Sequence, residues 1–116
     1  MREVAGLFAL FLLFSGISQA TDIQGVVTDW KCTESMVRNG REKTLKQDRG
    51  CSLVKNPDRS EYGIITDSKK FYRLDAEGNK KVKLLLNDSH DKDNLRVIVN
   101  GMLDGNLIKV TYASIL

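Results

Sequence analysis

The alternation of apolar and polar positions is clearest in the last quarter of the chain. Leu95, Val97 and Val99 alternate with polar or mixed positions, and a second β-branched run begins at residue 106. The pair Asp104-Gly105 stands between the two runs, and such a pair is typical of a tight β-hairpin turn because glycine adopts positive φ without steric cost. The pattern therefore predicts a hairpin over residues 94–115.

Further elements are predicted upstream of the hairpin. Runs rich in β-branched and aromatic residues predict strands, and a change of period to i, i+3, i+4 at Val82, Leu85 and Leu86 predicts a helix. Asp75 or Asn79 is the expected helix cap. The predicted order is strand one at 21–30, a long connection at 32–60, strand two at 61–66, strand three at 69–74, a helix at 80–87 and a polar loop at 87–94.

The connection at 32–60 contains turn pairs and short helical stretches, but it lacks a strong apolar stripe. Its turn pairs are Asn39-Gly40 and Arg49-Gly50, and it holds the only proline, Pro57. Short helices are predicted at 33–38 and 42–47, and a further turn at 51–55. A connection of this length must be held against the rest of a small domain, and a disulfide would hold it there.

A single helix between the third and fourth of five strands is the layout of the OB-fold, a five-stranded, partly open Greek-key barrel. We therefore predict a mainly β, OB-like Greek-key barrel; a flat α+β sheet with one covering helix has the same elements. Val97, Val99 and Val110 are expected in the core, with Leu85 or Leu86 closing one end. Gly101 predicts a bulge or bend in the first hairpin strand.

The N-terminal residues predict export. An apolar run at 4–14 follows Met1-Arg2, and Ser18-Gln19-Ala20 fits a signal-peptidase site, although Glu3 is unusual in such a leader. The predicted division is a signal peptide at 1–20 and one domain at 21–116, periplasmic or secreted, with no membrane span once the signal is removed. A membrane anchor or a buried first helix is the alternative. In an oxidising compartment the two cysteines, Cys32 and Cys51, are expected to form one disulfide.

Catalytic and metal-binding motifs are sparse in the sequence. His90 is the only histidine, and it lies in a polar loop together with Asp88, Asp91 and Asp93. That loop lacks the glycine at position six and the acid at position twelve of an EF-hand calcium loop. We therefore expect no catalytic residues, no metal and no cofactor. The formal net charge of +3 is too modest to indicate a nucleic-acid partner.

Basic and aromatic residues are interleaved around strands two and three, where OB-folds bind oligonucleotides and oligosaccharides. On strand three, Lys70, Tyr72 and Leu74 share one face, and Phe71 and Arg73 share the other. Phe71 is the better core candidate, which predicts that Tyr72 and Lys70 point outward. The expected function is a monomeric, non-enzymatic binding or accessory module for an anionic or sugar-like ligand; a structural or stress-associated envelope protein without a small ligand is the alternative. The predicted ligand-binding residues are Trp30, Tyr62, Lys70, Tyr72 and Arg73.

Several short motifs stand out along the chain, namely Gly25-Val26-Val27-Thr28-Asp29 with Cys32, Gly50-Cys51, Tyr62-Gly63-Ile64-Ile65-Thr66-Asp67, Phe71-Tyr72-Arg73-Leu74-Asp75, Val97-Ile98-Val99-Asn100-Gly101, Asp104-Gly105 and Ile108-Lys109-Val110. In these motifs the chain resembles a group of small secreted bacterial proteins with an OB-like fold. The resemblance covers most of 24–114 and implies the fold rather than an activity. In that group the second cysteine is often followed four residues later by another cysteine and preceded by a histidine. This chain has Lys55 in place of that additional cysteine and Asp48 in place of the histidine. A metal or redox site built on those ligands is therefore not expected here.

Overall fold

The computed structural model of the protein describes residues 19–116. The predicted signal peptide therefore lies outside the described residues except for its last two positions, and export remains a prediction. No helix within the described residues is long and apolar enough to cross a bilayer.

Five strands form one mixed sheet that closes in a ring, with β1 paired to β2 on one side and to β4 on the other. The order around the ring is β1-β2-β3-β5-β4; β3 and β5 are parallel, and the other neighbours are antiparallel. The five predicted strands are thus all present. Their bounds are β1 at Ala20–Asp29, β2 at Tyr62–Ile65, β3 at Phe71–Leu74, β4 at Arg96–Asp104 and β5 at Leu107–Ile115.

Helices are as abundant as strands in the described part of the chain, about 36% against about 37%. The predicted helices at 33–38, 42–47 and 80–87 are all present, but with this much helix the predicted mainly β class is not confirmed. The helices are α1 at Thr33–Asn39, α2 at Arg41–Gln47 and α3 at Ala76–Asn87, with 3-10 turns at Trp30–Cys32, Arg49–Cys51 and Lys92–Asn94.

Helix α3 begins at Ala76, four residues before its predicted start, because Asp75 rather than Asn79, the other expected cap, caps it. The Asp75 carboxylate accepts a hydrogen bond from the Gly78 amide at 2.9 Å and so satisfies one of the free amides of the first turn. Gly78 is also where the helix approaches β5, since a Cβ there would come within 2.5 Å of Val110 Cγ2.

The C-terminal hairpin is confirmed, with its turn displaced by one residue. Asp104 pairs with Leu107, so Gly105 and Asn106 form the turn, and Gly105 has a positive φ of 62°. The predicted irregularity at Gly101 is confirmed by a register shift between Asn100 and Gly101.

The core fills the inside of the ring. Helix α3, which lies between β3 and β4 along the chain, contributes side chains to this core. Val97, Val99 and Val110 are buried there as predicted. From α3, Val82 and Leu86 are buried, whereas Leu85 is only partly buried, so Leu86 is the leucine that packs deepest.

A second cluster lies on the outer side of the sheet, around the Cys32–Cys51 disulfide. The predicted disulfide is present, with its Cα atoms 5.8 Å apart. Its cysteines pack with Met36 of α1 and Ile65 of β2, and Phe71 lies against them. The long connection therefore folds back over the sheet.

Asp93, in the turn before β4, fastens the far part of the same connection. Its carboxylate accepts hydrogen bonds from the Ser52 hydroxyl at 2.7 Å and from the Leu53 amide. The Arg41 guanidinium donates to the Asp93 carbonyl oxygen at 3.0 Å. The predicted tethering of the connection by the disulfide is thus accompanied by a polar anchor that the sequence analysis did not identify.

Candidate functional site

The predicted orientation of β3 is wrong. Leu74 is buried in the core inside the ring and Tyr72 packs against that core, whereas Phe71 packs against the outer cluster. Arg73 also points outward, over Trp30. Phe71, the more apolar of the two aromatic residues, lies outside because the long connection supplies an apolar cover on that side.

Two of the predicted ligand-binding residues, Tyr62 and Tyr72, pack with the main core inside the ring. Tyr62 is fully buried at 0% exposure, and its hydroxyl donates to the Pro57 carbonyl oxygen at 3.1 Å. Tyr72 faces inward, as described above. Lys70 is exposed, but it precedes β3 at the end of the strand opposite to Arg73.

Trp30 and Arg73, the other two predicted residues, lie together on the outer face of the sheet. The Trp30 ring is 5.9 Å from the Phe71 ring, and the Arg73 guanidinium carbon lies 5.6 Å from the Trp30 ring centroid. Gly63 permits this packing, because a Cβ there would come within 3.0 Å of Trp30 Cε3. Trp30 thus covers β2 and positions Arg73, which extends to a hollow on the described surface.

That hollow, here called the polar groove, has a volume of about 600 Å³. It lies where the end of the long connection, the end of β3, the start of α3 and the start of β5 meet. Four of its side chains are cationic and two are carboxylates. The groove is lined by Arg59, Ser60, Glu61, Arg73, Leu74, Asp75, Ala76, Asn79, Lys80, Lys83 and Leu107.

The cations of the polar groove are held by acidic partners. Arg73 pairs with Glu61, and both side chains are about 40% exposed. Lys83 hydrogen-bonds to Asp58, and this contact lowers the pKa of the Asp58 carboxyl and raises the pKa of the Lys83 ammonium. Since both pairs are exposed to solvent, they orient the cations without neutralising them fully.

Asp75 and Asn79 also line the polar groove, and hydrogen bonds to the backbone hold their side chains in place. Besides capping α3, Asp75 Oδ1 accepts from the Val110 amide at 3.2 Å. Asn79 Oδ1 accepts from the Tyr62 amide at 2.9 Å. The groove is therefore built on side chains that join α3 to β2 and β5.

A smaller space, here called the side hollow, adjoins the polar groove and has a volume of about 140 Å³. Arg59, Ser60 and Glu61 line both spaces. Asp29, at the end of β1, is its most buried charged residue, with 8% of its side chain exposed and one carboxylate oxygen 3.6 Å from Arg59 Nε. Asp29 and Arg59 were not among the predicted site residues. Asp29 precedes the long connection and Arg59 lies near its end, so their contact joins the two ends of that connection.

The acidic loop at 87–94 is not assembled as an ion site. Within the part of the chain that the structure describes, no group of three or more His, Cys, Asp or Glu residues is placed to hold a metal ion. The Asp93 carboxylate already accepts hydrogen bonds from the Ser52 hydroxyl and the Leu53 amide, and His90 is exposed.

Comparison of the chain with models of protein families, with curated proteins and with solved structures finds no match.

Proposed function

We propose that the protein is a non-enzymatic, OB-like binding module that holds an anionic ligand in the polar groove. The closed ring of five strands, with α3 between β3 and β4, supports the OB-like barrel. OB-folds bind ligands beside strands two and three and the loops that precede strands two and five. The polar groove lies beside those same two loops, at residues 59–61 and 107.

The observation that carries the proposal is the convergence of four cationic side chains on an open, preformed groove. Arg59, Arg73, Lys80 and Lys83 converge there from three separate parts of the chain, against the carboxylates of Glu61 and Asp75. Convergent cations favour an anionic ligand through Coulomb attraction, which is stronger at a recessed surface than in bulk water.

A binding role suits this groove better than a catalytic one, because its carboxylates already have structural tasks. Glu61 pairs with Arg73, and Asp75 accepts two backbone hydrogen bonds. Neither is left as an unassigned acid or base of the kind that general acid–base catalysis needs.

Secretion or periplasmic residence is part of the same proposal. The Cys32–Cys51 disulfide is compatible with an oxidising compartment, where such bonds persist. The predicted leader at 1–20 points the same way.

Charge reversal at Lys80 tests the groove. Lys80 and Lys46 are both 76% exposed, and each pairs with a glutamate of its own helix, so Lys46→Glu is a matched control. Binding of trigalacturonate is measured through the fluorescence of Trp30, the only tryptophan. Lys80→Glu should weaken binding roughly 5-fold, because reversing an exposed charge costs about 1 kcal/mol, and added salt should weaken the wild-type complex. Equal effects of the two variants, or a larger effect of Lys46→Glu, would place the anion elsewhere.

A structural envelope protein without a small ligand is the second candidate. It is favoured by the internal ion pairs, Arg73–Glu61 and Lys83–Asp58, which use two groove cations within the chain. Absence of binding by trigalacturonate, triglutamate and tripolyphosphate alike at low salt would favour this role over the binding module.

A further inference from the structure

A third space, here called the aromatic hollow, lies on the outer face of the sheet, between the end of β1 and the start of α1. Its volume is about 270 Å³. Two of its walls are the rings of Trp30 and Phe71, whose centroids are 5.9 Å apart and whose planes are tilted by 47°. Both side chains are only partly buried, so part of each ring faces this space. The aromatic hollow is lined by Trp30, Lys31, Thr33, Glu34 and Phe71.

The aromatic hollow suits an uncharged, planar group. Lys31 and Glu34 are exposed and have opposite charges, so together they favour neither an anion nor a cation. Thr33 is buried, and its hydroxyl donates to the Asp29 carbonyl oxygen at 3.2 Å. The remaining lining is aromatic, and aromatic rings pack favourably against another flat ring, either stacked or tilted.

The aromatic hollow lies next to the cations of the polar groove. Lys31 lines both the aromatic hollow and the side hollow, and the side hollow in turn shares three residues with the polar groove. Arg73, which lines the polar groove, has its guanidinium carbon 5.6 Å from the centroid of the Trp30 ring. One small ligand can therefore place a ring against Trp30 while its charged group reaches Arg73.

Resting on the proposed function, we propose that the aromatic hollow is a stacking subsite and that the ligand is a nucleotide. Its base lies against Trp30 and Phe71, and its phosphate lies among the cations of the polar groove, beside Arg73. A nucleotide joins a planar ring to an anion through its sugar, which is the combination that the adjoining spaces require. Aromatic side chains beside cations bind nucleotide units in the same way in proteins that hold single strands.

The wild-type protein tests the base without any substitution. AMP and ribose 5-phosphate have the same phosphate and the same sugar, but only AMP has a base. Calorimetric titrations should show AMP binding at least about 5-fold more tightly, as expected for one stacked base. AMP should also quench the fluorescence of Trp30 more strongly than ribose 5-phosphate does. Equal affinities would overturn the stacking subsite while leaving the anion-binding groove in place.

The same chemistry occurs in free nucleotides and in single-stranded nucleic acid, and a third titration distinguishes these sources. A single-stranded adenylate trinucleotide that binds more tightly than AMP would support the proposal with a strand as the ligand. Tighter binding of AMP would support it with the free nucleotide as the ligand. Binding of ribose 5-phosphate more tightly than both would overturn it.

A substitution then locates the base. Phe71→Leu keeps an apolar side chain against the disulfide cluster and removes the ring, so AMP should bind about 5-fold more weakly while ribose 5-phosphate is unchanged. Tyr112→Leu is the control and should change neither, because Tyr112 is an exposed aromatic residue of β5 that lines none of the three spaces. Unchanged AMP binding by a folded Phe71→Leu protein overturns the stacking subsite.

If Phe71→Leu does not fold, the comparison of AMP with ribose 5-phosphate on the wild-type protein decides. Failure of both compounds to bind, together with failure of trigalacturonate, triglutamate and tripolyphosphate, removes the proposed function itself.

Discussion

Replacing Leu86 by alanine tests whether α3 is an integral part of the core. Leu86 is 2% exposed and packs in the main core cluster, whereas Leu84, two residues away on the same helix, is 66% exposed. The substitution removes three carbons, a transfer loss of about 2.4 kcal/mol at about 0.8 kcal/mol for each carbon. The cavity left behind adds to that loss, so the expected decrease in the free energy of unfolding is about 2–5 kcal/mol.

Leu84→Ala is the matched control, because it makes the same chemical change at an exposed position of α3 and should stay within about 0.5 kcal/mol of wild type. Urea unfolding followed by circular dichroism gives both values, and thermal unfolding should show a fall of about 12–24 °C for Leu86→Ala if its loss is about 3 kcal/mol. Equal losses in the two variants would show that α3 lies against the ring without entering its core.

Three further predictions concern the long connection and the buried tyrosine. Joint replacement of Cys32 and Cys51 by serine should reduce stability by about 3 kcal/mol, and the denatured, unreduced wild-type protein should show no titratable thiol. Asp93→Ala should cost about 1–2 kcal/mol in urea unfolding, since the Ser52 hydroxyl and a backbone amide lose a charged acceptor; a change near zero would mean that the anchor is unimportant. Burial raises the pKa of Tyr62 above its usual 10.0, so the folded state holds a proton that the unfolded state loses, and stability should fall as pH rises above about 10. In Tyr62→Phe this fall should be smaller, and an unchanged pH profile would contradict it.

The strands and the disulfide could be predicted because their signals are local or depend on few residues. Alternation over 94–100 and the glycine at the turn specify the hairpin, and two cysteines allow only one intramolecular pairing. The start of α3 was missed because Gly78 weakens the helical pattern, while the compensating Asp75 cap acts through a backbone amide.

The orientation of β3 could not be predicted from its own residues. Both of its faces carry an aromatic residue, Phe71 and Tyr72, so period-two alternation allows either one to face inward. The choice depends on α1 and the disulfide, which supply an apolar cover on the outside of the sheet. The residues that form this cover lie some 20 to 40 positions before β3 in the chain, so the local sequence of β3 does not predict it.

The candidate site has the same non-local origin, and the disulfide is central to it. Cys51 follows Gly50, whose carbonyl oxygen holds the Arg59 guanidinium, and Cys32 lies three residues after Asp29. The disulfide therefore fixes the chain beside both residues of the Asp29–Arg59 ion pair. Without it, the connection would be free to relax, and Arg59 would no longer be held beside Asp29 at the end of β1. Because Arg59 also lines the polar groove, the bond that stabilises the fold also holds one cation of the groove in place.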